Sequence, residues 1–360
     1  MRVLIVTGSS GGHIFPAIAL LDSLKSSGQE VLLVLPQKSC QDKIPIALEQ
    51  IKYIHTANLS LNLNSKNIRG FYFFLWGVWE SFRIIISFKP DLVIGFGSLN
   101  TVALIFWAWL FRIKTMIHEQ NVTCGRANRL LAKLVDKVAV SFSQTRNGLN
   151  IVDEKIVLTG NPLRKDLVRL DRKEALDFFK FDEGKFTILI MGGSQGSRRL
   201  NTICFEALST HQKKNDLQVI HICGTGDFTG LLASYAASAL TYKLFDFFLQ
   251  MQYVYSVADL VICRAGATTI AELQKFSIPA ILVPYPFAYA HQLANAQVLE
   301  KVGAAEVVLD ADLNVDKLKE RLQVYFCNNE KLKAMQKAYQ ELTIISNTAE
   351  KLASEVLSLR

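Results

Sequence analysis

The sequence is short of paired cysteines: its six lie apart at 40, 124, 204, 223, 263 and 327, without the spacing of a disulfide framework or a zinc site. A reducing cytosol is the expected compartment, and no metal is expected. No signal peptide is expected either, because Met1-Arg2 runs at once into a strand and a glycine turn rather than a long apolar segment. The uncharged run from Leu92 to Phe111 has the 20-residue length of a membrane span. It nonetheless carries Gly95, Gly97, Ser98, Asn100 and Thr101 in its first half, so it reads as strand, turn and buried helix. The first glycine turn lacks the G-x-G-x-x-G order of a dinucleotide fingerprint, which disfavours a nicotinamide oxidoreductase. No RNA-binding motif is present, and nucleic acid is not an expected partner.

What is present is apolar and basic in a particular distribution. Half of the 360 residues are hydrophobic, enough for two domains with their own cores. Residues 1–164 carry 18 Lys and Arg against 10 Asp and Glu, whereas the rest of the chain has 22 of each. All of the net charge of +8 therefore sits in the first half. Between Gly70 and Lys89 lie Phe71, Tyr72, Phe73, Phe74, Trp76, Trp79 and Phe82, and Trp107 and Trp109 follow in a second apolar stretch. Aromatics beside basic residues suit either a buried helix or an anionic membrane interface, and the charge asymmetry tips the reading to the membrane.

Strands and helices alternate from Arg2 to Ser141 and again from Phe186 to Leu309, which predicts an α/β chain of two tandem doubly wound, Rossmann-like domains. The hinge is expected near Thr159-Gly160-Asn161-Pro162-Leu163-Arg164. The expected domains are 1–163, acceptor-side and membrane-facing, and 164–340, with a long last helix from about Glu330 whose end, about 341–360, packs back on the first. Two glycine turns follow strands and open helices: Thr7 to His13, and Met191 to Arg198. Such turns present backbone N–H groups to an anion. His13 beside the first is a candidate base or a capping histidine. His118-Glu119-Gln120-Asn121 closes another strand at the carboxyl edge, where ligands bind. In the segment from Asp259 to Asn295, Glu272, Gln292 and Asn295 form a set suited to a sugar bearing several hydroxyls, with Thr268 or Thr269 as the expected helix cap.

Six segments carry a resemblance: GSSGGHIFPAIA near the start, HEQN at 118–121, GNPLR at 160–164, MGGSQGS at 191–197, RAGATTIAEL at 264–273 and HQLANA at 291–296. In order and spacing they resemble the MurG family of peptidoglycan glycosyltransferases, over nearly the whole chain. The resemblance implies a GT-B glycosyltransferase with its two domains facing a cleft. It implies inverting, metal-independent transfer of N-acetylglucosamine (GlcNAc) from UDP-GlcNAc to the C4 hydroxyl of the muramyl sugar of lipid I, the undecaprenyl-pyrophosphoryl-MurNAc-pentapeptide, with no cofactor. By position, Glu272 would hold the ribose, Gln292 and Asn295 the GlcNAc hydroxyls, and Asn121 and His291 further parts of the donor. Arg164 and Ser194 would serve the diphosphate, and Phe248 would offer its backbone to uracil. Ser10, Gly11, Gly12 and His13 would face the acceptor, with His13 the preferred base and Glu119 its rival. The protein is then expected at the cytoplasmic face of the plasma membrane, peripheral, among other cell-wall enzymes.

Departures from the family pattern are Ser9 and Ser10, where it usually has Gly and Thr, Ser98-Leu99-Asn100, where a glycine and an aromatic are usual, and Leu249-Gln250 before Met251. The first two fall on the acceptor side. Alternatives on sequence grounds are another UDP-GlcNAc-dependent GT-B enzyme, an epimerase among them, or a non-catalytic UDP-GlcNAc-binding scaffold.

Overall fold

A computed structural model describes residues 1–37, 50–56, 65–286, 291–343 and 345–360, without the side chains of 65–72 and 100. The side chains of Phe71, Tyr72 and Asn100, and the loop expected between Pro286 and His291, thus lie outside the described residues. The chain divides into two compact units, Met1–Arg164 with Ile345–Arg360, and Lys165–Ile344.

The first unit contains β1 (Arg2–Thr7), β2 (Glu30–Pro36), β3 (Ile51–Ile54), β4 (Leu92–Phe96), β5 (Lys114–Glu119), β6 (Lys137–Val140) and β7 (Ile156–Leu158). They form one parallel sheet in the order β3-β2-β1-β4-β5-β6-β7. Successive residues of a strand point to opposite faces. Val3 and Ile5 accordingly join a core with the helix Gly11–Ser26, while Leu4 and Val6 join a core with Leu104, Ile105 and Ala108 of the helix Leu99–Leu110. Burial on both faces is why these strands read as unbroken Val, Ile and Leu runs.

The second unit contains β8 (Phe186–Met191), β9 (Leu217–Ile222), β10 (Thr241–Phe245), β11 (Leu260–Cys263), β12 (Ala280–Leu282) and β13 (Ala305–Val307), parallel in the order β10-β9-β8-β11-β12-β13. In each sheet the order reverses once: chain-adjacent strands are separated at β1/β4 in the first and at β8/β11 in the second. Such switch points leave a crevice outside the carboxyl ends of the strands.

Several expectations needed correction. Three strands that were not expected, β3, β7 and β10, are all sheet edges, where burial is incomplete: β3 and β10 lack a continuous apolar run, and β7 is only three residues long. The expected last helix is two, Asn329–Ala338 and Thr348–Leu357, and Asn347 before the second has a left-handed φ of 51°. Leu352, Ala353 and Val356 of the second helix enter the first unit's core. The helix expected from Pro16 starts at Gly11. Neither Thr268 nor Thr269 caps the helix Ala267–Phe276, whose N-cap is Gly266.

The helix Leu99–Leu110, expected to be buried, is buried on one side only. Leu99, Phe106, Trp109, Leu110 and the adjoining Phe111 are exposed, as are Leu75, Trp76, Trp79 and Ile86 of the helix Ser65–Phe88. The two helices are neighbours, because Trp107 Nε1 donates to Val78 O at 3.0 Å and its ring lies 5.1 Å from Phe82. They form one aromatic face edged by Arg83 and Arg112. No helix among the described residues is long and apolar enough to cross a membrane.

Candidate active site

In the first unit the loop after β1 meets those after β4 and β5. Ser10 is the N-cap of the helix Gly11–Ser26, and its carbonyl accepts from His13 N and Ile14 N, both at 3.0 Å. Its hydroxyl makes no capping bond. Gly11 is buried and Gly12 exposed, so the turn presents backbone at the sheet edge. The half-buried His13 ring sits between two glycines. A Cβ at Gly8 would stand 3.0 Å from His13 Cδ2, and one at Gly97 3.4 Å from its Cε1. His13 Nδ1 lies 2.9 Å from Gln120 Oε1. Burial lowers the His13 pKa, against the opposing pull of the Glu119 charge and the Gln120 hydrogen bond.

Glu119 is 2% exposed and its carboxylate is held by four donors: Asn121 N at 3.0 Å, Asn121 Nδ2 at 3.1 Å, Gly125 N at 2.9 Å and Asn128 Nδ2 at 2.9 Å. It shapes the loop 121–128. Taking up a proton would require it to release one of these donors. His118 is fully buried, its pKa pushed down to about 4 mainly by desolvation. Arg164 belongs to this unit, its guanidinium 5.5 Å from the Phe15 ring.

In the second unit the loop after β8 is built of glycines for steric reasons. A Cβ at Gly192 would stand 2.5 Å from Ser197 N, and one at Gly196, where φ is +75°, 2.2 Å from Cys223 O. The loop leaves Ser194 exposed and leads into the helix Arg198–Ser209. Ser197, the N-cap residue, does not cap with its side chain, because its Oγ accepts from Arg264 Nη2 at 2.7 Å. This helix starts from the loop that follows β8, a strand at the switch point, and a helix N-terminus so placed is the arrangement that binds phosphate. Arg264 is itself buried, donates through Nη1 to Val283 O at 3.1 Å and pairs with Asp310 at 2.6 Å, so it ties the ends of β11 and β12 to this loop. Asp310-Ala311-Asp312 is an Asp-x-Asp sequence that the metal-free expectation left out of account. Asp310 is committed to Arg264 and, at 3.4 Å, to Arg199.

Glu272, half-buried on the helix after β11, accepts from the buried Tyr255 hydroxyl at 2.7 Å. Gln292 Oε1 accepts from Ala265 N at 3.2 Å and Tyr285 N at 2.9 Å, and the fully buried Asn295 donates to Ala265 O at 3.2 Å. Both thus meet the turn after β11, and His291 opens their helix, His291–Lys301. Phe248 belongs to an aromatic group with Phe245 at 4.5 Å, Phe179 at 5.9 Å and Phe178 at 6.4 Å. Sequence reasoning missed Tyr255, Arg264 and Gln120 as parts of the site. For Gln120 and Arg264 the signal was a polar residue directly after an apolar strand; Tyr255, inside the helix Met251–Val257, gave none.

The glycosyltransferase family 28 N-terminal domain matches residues 3–140 and the family 28 C-terminal domain residues 187–356. Two Rossmann-like parallel-sheet units of this kind make the chain a hexosyltransferase of the GT-B class. A UDP-N-acetylglucosamine--N-acetylmuramyl-(pentapeptide) pyrophosphoryl-undecaprenol N-acetylglucosamine transferase from Thermodesulfovibrio yellowstonii is 37% identical over 94% of this chain and 93% of its own length. Its namesake from Listeria monocytogenes is 34% identical over 100% and 99%. The crystal structure of Acinetobacter baumannii MurG superposes with a TM-score of 0.73 at 27% identity, covering 99% of both chains. The chain belongs to this family, the MurG transferases.

Proposed function

We propose that the chain transfers GlcNAc from UDP-GlcNAc to the muramyl C4 hydroxyl of lipid I, giving lipid II and UDP with inversion, and without a metal. The observation that carries the reading is the placement of both glycine turns, with His13 in one unit and Glu272 in the other, at the switch points of the two sheets. The second unit takes the donor. Glu272, oriented by Tyr255, accepts from the ribose hydroxyls, and the loop 192–197 with the helix behind it receives the diphosphate, whose charge grows as the glycosidic bond breaks. Gln292 and Asn295 hold the turn after β11 where the sugar is read, and the backbone at Phe248 meets the uracil.

The first unit takes the acceptor. His13 is the base for the C4 hydroxyl, because it is a partly exposed residue of this loop cluster whose ring can take a proton, whereas Glu119 is 2% exposed and enclosed by its four donors. The aromatic face of Trp76, Trp79, Phe106 and Trp109, flanked by the basic excess of residues 1–164, rests on the anionic cytoplasmic surface of the membrane that carries the lipid-linked acceptor. The test is UDP release from UDP-GlcNAc by the full chain in EDTA, with and without a short-chain lipid I analogue. Acceptor-dependent release is expected. Release that ignores the acceptor, or a product epimerised at C2, would overturn the reading.

A further inference from the structure

We propose that Gln120 and His118 are positioning residues that fix the tautomer of His13, keeping its proton on Nδ1 and leaving Nε2 as the acceptor. The geometry stands alone, whereas its consequence for turnover rests on the reading of His13 as the base.

The chain of bonds begins at an atom that only accepts. His118 Nε2 lies 3.1 Å from Gly160 O, so Nε2 carries a proton. The fully buried His118 ring is neutral, so its Nδ1 is a bare lone pair. Gln120 Nε2 lies 3.1 Å from that lone pair and 3.1 Å from His118 O. Two acceptors therefore demand the amide nitrogen on this side, which fixes the orientation of the amide twice over. Its oxygen is turned to His13, 2.9 Å from Nδ1, and an amide oxygen has no proton to give. His13 Nδ1 is then the donor, and Nε2 on the opposite edge of the ring is unprotonated.

This is the tautomer that general-base chemistry requires. In the other one, the outward nitrogen already holds a proton and has no lone pair for the acceptor hydroxyl. The relay also places a neutral amide, rather than a carboxylate, against Nδ1. A carboxylate would orient the ring equally well but would raise its pKa much further, and the nearby Glu119 charge already raises it. Gly8 and Gly97 flank the ring: a Cβ at Gly8 would press on the imidazole, and one at Gly97 would stand in contact with it.

The test uses the full chain labelled with 15N-histidine, its long-range 1H–15N spectrum recorded at mildly alkaline pH, and the variants Gln120→Met and Gln120→Glu. Wild type should show His13 with Nε2 unprotonated. Gln120→Met should show mixed tautomers and a kcat lower by about 10- to 100-fold, with KM for UDP-GlcNAc unchanged. Gln120→Glu should keep the tautomer and move the kcat–pH profile to higher pH, and it carries the test if Gln120→Met does not fold. A wild-type His13 protonated on Nε2, or a Gln120→Met variant with an unmixed tautomer or undiminished kcat, overturns the proposal. If the tautomer shifts as expected while His13→Ala turns over like wild type, the relay stands and the base assignment falls.

Discussion

Ser98 holds φ 76° and ψ 158°, a region that only glycine occupies without strain. It follows Gly97, φ +75°, in the turn after β4. A residue forced there costs about 1–3 kcal/mol. Replacing it by glycine removes that strain but returns about 0.5–1 kcal/mol through the greater freedom of the unfolded chain. The Ser98 side chain makes no capping bond to its helix, so the deletion forfeits none. The expected net gain for Ser98→Gly is about 1 kcal/mol, which for a domain of about 150–250 residues raises the Tm by about 2–4 °C. Ser98→Ala keeps the Cβ, and with it the strain, and should stay within about 0.5 kcal/mol of wild type. Scanning calorimetry of the three proteins decides the matter. A Tm for Ser98→Gly at or below that of Ser98→Ala would refute the strain argument.

Other expectations follow from the same geometry. Glu272→Ala should weaken UDP-GlcNAc binding by about 3 kcal/mol, roughly 100-fold, and Tyr255→Phe by about 1 kcal/mol, about fivefold; calorimetric titration that finds both affinities unchanged would remove Glu272 from the donor site. His118 and His221 are buried with pKa values lowered to about 4 and about 3, chiefly by desolvation. Each binds its proton more readily in the unfolded chain, so stability is full above the unfolded value of about 6.5 and falls as pH drops below it, by up to about 1.4 kcal/mol per pH unit for each group. Urea midpoints between neutral pH and about pH 4 should show this slope, and a flat profile would contradict it. Replacing Trp76 and Trp79, 40% and 46% exposed, with serine should reduce sedimentation with anionic vesicles while leaving the urea midpoint nearly unchanged. A stability loss with unaltered vesicle binding would make them packing residues instead.

Much of the fold was legible in the chain because buried parallel strands have little choice of residue. Runs such as RVLIVT and FTILIM declare themselves, and so do glycine turns that close them. The edge strand TYKLF at Thr241–Phe245 did not, since every residue in it is only half-buried. The family motifs, being local, were also legible, and they carried the class of reaction and the candidate residues.

Which residues meet is a different matter, and tertiary structure alone decided it. His13 and Gln120 are joined because β1, β4 and β5 lie side by side, a consequence of strand order and not of any local pattern. Tyr255 and Arg264 read as ordinary core and turn residues until the ends of β8, β11 and β12 bring them to Glu272 and Ser197. Glu119, a candidate base by its type and place, is enclosed by four hydrogen bonds from a loop that follows it. Residue type and local spacing determine which chemistry is available. Side-chain protons, charges and lone pairs acquire their roles from partners brought within about 3 Å by the fold, and that distance is set by long-range packing.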